Sequence, residues 1–256
     1  MSERSAVVTG ASSGIGRAIS LRLADDGFHV LLADLRRDPI TGGEPTEEVI
    51  RARGGSAEYV QADVSDPDQC QRLVDTAVER TGSLDLVVNN AVLAGAHSRP
   101  LLDTEPEDWD AMMAVNLRGP YLLCRAAVRQ MLTQPLDGDA RGRIINITSQ
   151  HGMVGCPGHF TYSVGKGGLV QMTRQIAVDY GRDGILCNAV APGKIVTGTP
   201  GDLSAEEQGL ADVKSRTPFP RLGRSEDVAA AVAFLADEAS YVSGTNLMVD
   251  GGWMAY

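Results

Sequence analysis

A glycine turn at the end of the first apolar run constrains this chain more than any other feature. Thr9-Gly10-Ala11-Ser12-Ser13-Gly14-Ile15-Gly16 stands between Ala6-Val7-Val8 and an amphipathic stretch. Glycine tolerates positive φ, so it suits a tight passage from strand to helix. Missing side chains also let backbone N–H groups approach a pyrophosphate at the positive end of that helix. In this strand–turn–helix context the pattern predicts a dinucleotide site built by Gly10, Ser12, Ser13, Gly14, Ile15 and Gly16.

The rest of the chain alternates as such a site requires. Short apolar runs at 6–9, 29–34, 57–62, 84–89, 143–148, 186–191 and 246–249 read as strands buried on both faces. Amphipathic stretches at 14–26, 67–80, 107–132, 162–180 and 225–236 read as helices. The alternation predicts an α/β fold: one Rossmann-type domain, a doubly wound parallel sheet of about seven strands with helices on both faces. Segments 37–45 and 134–142 read as surface excursions. Segment 194–222, with Gly198, Pro200, Gly201, Pro218 and Pro220 around a short polar helix candidate, breaks the alternation. It is expected to cover the substrate, a plain surface loop being the alternative.

Charge narrows the partners. With 33 acidic and 23 basic residues the net charge is −10, which argues against nucleic acid or an anionic membrane. An anionic cofactor held by backbone N–H groups stays allowed. Met1-Ser2-Glu3-Arg4 leads straight into the first apolar run, with no signal-peptide core. No apolar stretch approaches the roughly 20 residues that span a bilayer. Cys70, Cys124, Cys156 and Cys187 form no CxxC pair and are expected to be reduced, as in a cytoplasmic protein. Cys156 and His159 are too few for a structural zinc site, so no metal is expected.

Asp34 closes the second strand at the spacing of an acid that accepts from an adenosine ribose. Its carboxylate would repel a 2′-phosphate, which favours NAD. Arg36 and Arg37 can instead attract that phosphate, so NADP stays open, and Asp34 can also be a solvated strand end. Asp63, followed by Val64, can meet the adenine edge or cap the next helix. Asn89-Asn90-Ala91 ends the fourth strand, facing the ligand crevice or merely bracing the turn.

Tyr162 and Lys166 share one face at the start of a helix, with Ser149 just past a strand and Asn116 inside the preceding helix. Hydride addition to a carbonyl leaves an alkoxide that needs a proton. A phenol is a poor base at neutral pH until a nearby ammonium stabilises its anion. Tyr162 can then serve as acid in reduction and base in oxidation, while Ser149 steadies the substrate oxygen. Lys166 can also bind the nicotinamide ribose, and Asn116 can hold a water that links Lys166 to solvent.

Together these residues resemble the short-chain dehydrogenase/reductase family over nearly the whole chain. The turn at 9–16 is similar to the family's T-G-x-x-x-G-x-G, and Asn116, Ser149, Tyr162 and Lys166 fit its catalytic tetrad. Pro192-Gly193 with Thr197 resembles its P-G…T motif, implying that Pro192, Gly193, Ile195 and Thr197 meet the nicotinamide side. The same resemblance implies cofactor contacts from Leu35, Val64, Asn90 and Ala91. Asp250-Gly251-Gly252 resembles the C-terminal segment, which implies a homotetramer. The chain departs from the family at Asn89-Asn90-Ala91-Val92, where a glycine is usual at the last position. A β-branched Val92 puts the local loop shape in doubt.

Gln150, His151 and His159 lie between Ser149 and Tyr162 and can hydrogen-bond hydroxyls, or be ordinary loop residues. A small-molecule substrate rich in hydroxyls, a sugar or polyol, is expected. The stretch 218–228 resembles sugar and polyol dehydrogenases and acyl-carrier-protein reductases alike. The rivals are an NADPH-dependent ketoreductase and a dinucleotide sensor without chemistry.

Overall fold

β1 (Arg4–Thr9) is bonded on both sides, to β2 (Phe28–Asp34) and to β4 (Leu86–Asn89). Ala6, Val7 and Val8 are fully buried, as expected of a parallel strand covered on both faces. The structure, a computed structural model, describes residues 4–93, 99–198, 215–237 and 241–255. The remaining strands of the sheet are β3 (Ser56–Gln61), β5 (Gly142–Ile147), β6 (Ile185–Pro192) and, last in the chain, β9 (Asn246–Val249). Their order is β3-β2-β1-β4-β5-β6-β9, and every pairing is parallel. The order reverses between β1 and β4, which opens a crevice at their carboxyl ends.

Two apolar clusters sandwich the sheet. On one face α1 (Gly14–Asp25) packs against α7 (Ser225–Ala236), with Ile19, Leu23 and Val232 in the core. On the other, α3 (Pro67–Thr81) packs against α5 (Gly119–Met131) around Leu73, Leu123 and Met131. α3 has clear boundary chemistry: Asp66 accepts the N–H groups of Asp68 and Gln69, Pro67 opens the helix, and left-handed Gly82 ends it.

Four elements depart from the sequence-based expectation. α2 (Thr46–Ala52) is a seven-residue helix with Glu47 and Glu48 in its first turn; it is too short to show periodicity. The expected helix 107–132 is two helices, α4 (Pro106–Met113) and α5, joined by a π segment at Ala114–Arg118. Gly119 N–H reaches back five residues to Ala114 O, and Pro120, in the first turn of α5, has no N–H to give the Asn116 carbonyl. α6 (Phe160–Tyr180) begins two residues before Tyr162. A two-residue pair, β7 (Ile195–Val196) and β8 (Gly223–Arg224), joins the two ends of segment 194–222. Residues 199–214 of that segment, including its short helix candidate, lie outside the described residues. Among the described residues no helix is long and apolar enough to cross a membrane.

Candidate active site

The glycine turn is built as a cradle. Gly10 and Gly14 sit at φ +63 and +53, where side chains are disfavoured. Gly16 is required for another reason. A Cβ there would lie 2.0 Å from the Gly10 carbonyl oxygen and 2.5 Å from Asn90 Nδ2. The first turn of α1 contains no acidic residue, and its N-cap Ser13 makes no capping bond with its side chain. The N–H groups there are therefore free of side-chain caps, and this turn fits a pyrophosphate.

Asn90 braces this cradle. Its Nδ2 donates to Thr9 O at 2.9 Å and to Gly10 O at 3.1 Å. Thr9 Oγ1 accepts the N–H groups of Asn90 and Ala91. Asn89 is fully engaged elsewhere, donating to Asn146 Oδ1 at 2.8 Å. Asp34 turns back to the cradle: Oδ2 accepts Ser12 N–H at 3.0 Å and Oδ1 accepts Arg36 N–H at 3.3 Å. Leu35 follows as a solvent-facing side chain. Asp63 does not cap α3. That role belongs to Asp66, while Asp63 Oδ1 accepts from Ser65 N–H and Oγ–H. Val64 is buried against the backbone of Gly119.

The four catalytic candidates meet where β5 ends and α6 begins. Ser149 follows β5 and accepts the His151 N–H at 3.1 Å. Tyr162 is close enough to Ser149 for the serine hydroxyl to favour its phenolate. Lys166, one turn along α6, is buried; its Nζ donates to Ile147 O at 2.7 Å and lies 5.8 Å from the Tyr162 ring centroid. Burial pushes the Lys166 pKa down to about 8. The expected lowering of the Tyr162 pKa is absent here. Burial raises it, and the Ser149 hydroxyl only partly opposes that. The lysine donates a hydrogen bond to the Ile147 carbonyl, and no hydrogen bond joins it to the phenol among the described residues.

Asn116 also differs from expectation. Its Oδ1 accepts Leu93 N–H and its Nδ2 donates to Leu93 O, both at 2.8 Å, with Met112 Sδ as a further acceptor. The side chain is spent on the 90–93 loop. Val92 is accommodated: 49 % of it is exposed, and no described non-glycine residue takes positive φ, so the loop takes a shape valine accepts.

On the substrate side, Gln150 is buried and its Oε1 has no hydrogen-bond partner among the described residues, while Nε2 lies 3.2 Å from His151 Nε2. His151, His159 and Tyr162 form a chain of rings, with centroids 5.8 and 6.3 Å apart. Trp253 meets His151 edge-on at 6.2 Å; sequence reasoning missed it because nothing local relates residue 253 to residue 151. Burial, then the Lys194 and His159 charges, lower the His151 pKa to about 4. Burial and Lys194 lower that of His159 as well. Pro192 ends β6, and Gly193 N–H bonds Val249 O at 2.9 Å beside Gln150 Oε1. Ile195 opens β7, and Thr197 follows it directly. Among the described residues no three His, Cys, Asp or Glu side chains group to hold a metal.

A family model described as enoyl-(acyl carrier protein) reductase matches residues 10–254. The chain is 39% identical over 254 residues to glucose 1-dehydrogenase 2 of Bacillus subtilis (strain 168), covering 99% of this chain and 95% of that protein. It is 37% identical over 253 residues to a 3-oxoacyl-acyl-carrier-protein reductase of Synechocystis sp., covering 98% and 97%. A solved structure from Beutenbergia cavernae, provisionally assigned as an NAD(P)-dependent gluconate 5-dehydrogenase and holding NADP at low occupancy, matches with a TM-score of 0.88. It is 35% identical and covers 100% of this chain and 98% of that one.

Proposed function

This chain belongs to the short-chain dehydrogenase/reductase family of NAD(P)-dependent oxidoreductases, and we propose that it oxidises a hydroxyl of a sugar or polyol with NAD, Tyr162 serving as the general base. When bound, the nicotinamide supplies the hydride acceptor. The residues at 10–16 bind the pyrophosphate through backbone N–H groups, and Asp34 accepts from the adenosine ribose. Leu35, Asp63, Val64, Asn90 and Ala91 border the adenosine side; Pro192, Gly193, Ile195 and Thr197 border the nicotinamide side. Tyr162 takes the proton of the substrate hydroxyl, and Ser149 orients the same oxygen by hydrogen bonding. Lys166, one helical turn away, donates through Nζ to Ile147 O and would also bind the nicotinamide ribose. In the reverse direction Tyr162 donates.

One observation carries the substrate class. Gln150 Oε1 is a buried acceptor without a donor among the described residues, and such an atom is costly unless a ligand hydroxyl satisfies it. His151 and His159, both biased toward the neutral form, can each donate and accept from further hydroxyls. Lys194 makes no ion pair among the described residues and lies within electrostatic reach of both rings. A sugar acid, with a carboxylate for that cation, is thus favoured within the class.

The test is a panel of aldoses, polyols and aldonates assayed for NADH formation beside β-ketoesters assayed with NADPH. Turnover of a sugar or aldonate with NAD supports the reading. Rapid ketoester reduction with no sugar oxidation replaces it with the ketoreductase reading. A homotetramer belongs to the same proposal: α6 leaves Val164 and Val178 exposed, Val178 at 77 %, and light scattering gives the mass.

A further inference from the structure

Two arginines follow Asp34, and the fold treats them differently. Arg37 donates through Nε to Glu47 and through Nη2 to Glu48, the two acids in the first turn of α2. Glu47 is only 3 % exposed. The Arg36 side chain has no partner among the described residues; its carbonyl oxygen accepts from Ser12 Oγ–H at 2.7 Å.

This ion-paired segment is fastened to the cofactor cradle. Ile40 N–H donates to Ser13 Oγ at 2.8 Å, and Thr46 Oγ1 donates to Ala11 O at 3.2 Å. Arg17, on α1, ties in the start of α2 by donating to Glu44 O at 2.8 Å and Thr46 Oγ1 at 3.0 Å. Arg37 and its two acids therefore stand at the ribose end of the site, beside the Ser12–Asp34 contact.

A guanidinium at that place is the natural partner of a ribose 2′-phosphate, since its planar fork matches phosphate oxygens. A buried carboxylate resists losing the cation it bonds directly, because the charge left behind would be desolvated without that bond. We propose that Glu47, helped by Glu48, sets coenzyme choice by holding Arg37 away from the 2′ position, so that NADP gains no arginine contact and Asp34 is left to receive the hydroxyls of NAD. Glu47 is a positioning residue that acts through Arg37. The inference rests on the NAD reading above.

Calorimetric titration with NAD and with NADP, without substrate, tests it on the full chain. Glu47→Gln should tighten NADP binding about tenfold while NAD binding holds. Glu48→Gln, at an exposed acid, should give a smaller gain in the same direction, and it decides the matter if the buried change prevents folding. Glu47→Asp, which keeps the charge, should retain the wild-type ratio of affinities. Adding Arg37→Ala to Glu47→Gln should erase the gain. An unchanged ratio in both glutamine variants, or a gain that survives Arg37→Ala, overturns the inference and leaves the NAD reading standing. A wild-type chain that already prefers NADP overturns the NAD reading and this inference with it.

Discussion

Asn116 clasps Leu93 at both ends of its amide, accepting the N–H and donating to the carbonyl at 2.8 Å each. The same residue packs against α6, where a Cβ on Gly165 would come within 3.6 Å of its own Cβ. One side chain thus joins the loop after β4 to the helix that carries Tyr162 and Lys166. Asn116→Ala should strip two backbone groups of their partners, at about 1–3 kcal/mol. Thermal unfolding should shift down by about 2–4 °C per kcal/mol for a chain of this size. An unchanged midpoint would mean that the clasp contributes nothing.

Gly16→Ala should fail at the cradle itself. The added carbon would strike the Gly10 carbonyl at 2.0 Å and Asn90 Nδ2 at 2.5 Å, both fixed by hydrogen bonds. Overpacking of this kind costs about 1–3 kcal/mol, and the displaced turn should weaken NAD binding at least about tenfold. Gly181→Ala is the control: nothing lies within 4 Å of its added carbon, and its φ of −60 suits alanine. It should leave both stability and NAD binding within error; equal losses at the two positions would contradict the cradle.

Stability should fall in acid through His151. Its pKa drops from 6.5 to about 4 on folding, so between those values the unfolded chain binds the extra proton. The contribution is complete above pH 6.5 and is lost as pH falls toward 4, by at most about 3 kcal/mol. His159 acts in the same direction. Urea unfolding at neutral pH and near pH 4 should show a smaller acid loss in His151→Gln than in wild type. Equal slopes would place the titration elsewhere.

Much of this was legible before the structure. Seven apolar runs announced seven strands because a parallel strand buried on both faces has no polar side to disguise it. The glycine turn and the Ser149, Tyr162 and Lys166 set were readable because backbone geometry and helix spacing dictate them. Some misses came from partners far apart in sequence, others from local signals. Asn116 was visible as a residue, whereas its bond to Leu93 was not. The π segment left a trace that could have been read, Pro120 four residues after Asn116. Pro45 followed by Thr46-Glu47-Glu48 likewise had the signature of a helix start. Asp63 lost the cap of α3 to Asp66, whose place directly before Pro67 is the better cap position.

Tyr162 is the proposed group that moves the proton, and Tyr162→Phe removes its hydroxyl while keeping the ring. NADH formation from the best sugar or aldonate and NAD affinity by calorimetry are measured on the same preparation, beside wild type. The account predicts a loss of turnover of at least about a hundredfold, with NAD binding and the unfolding temperature preserved. Turnover within a few-fold of wild type would contradict it, because the phenol hydroxyl would then be dispensable to the proton transfer.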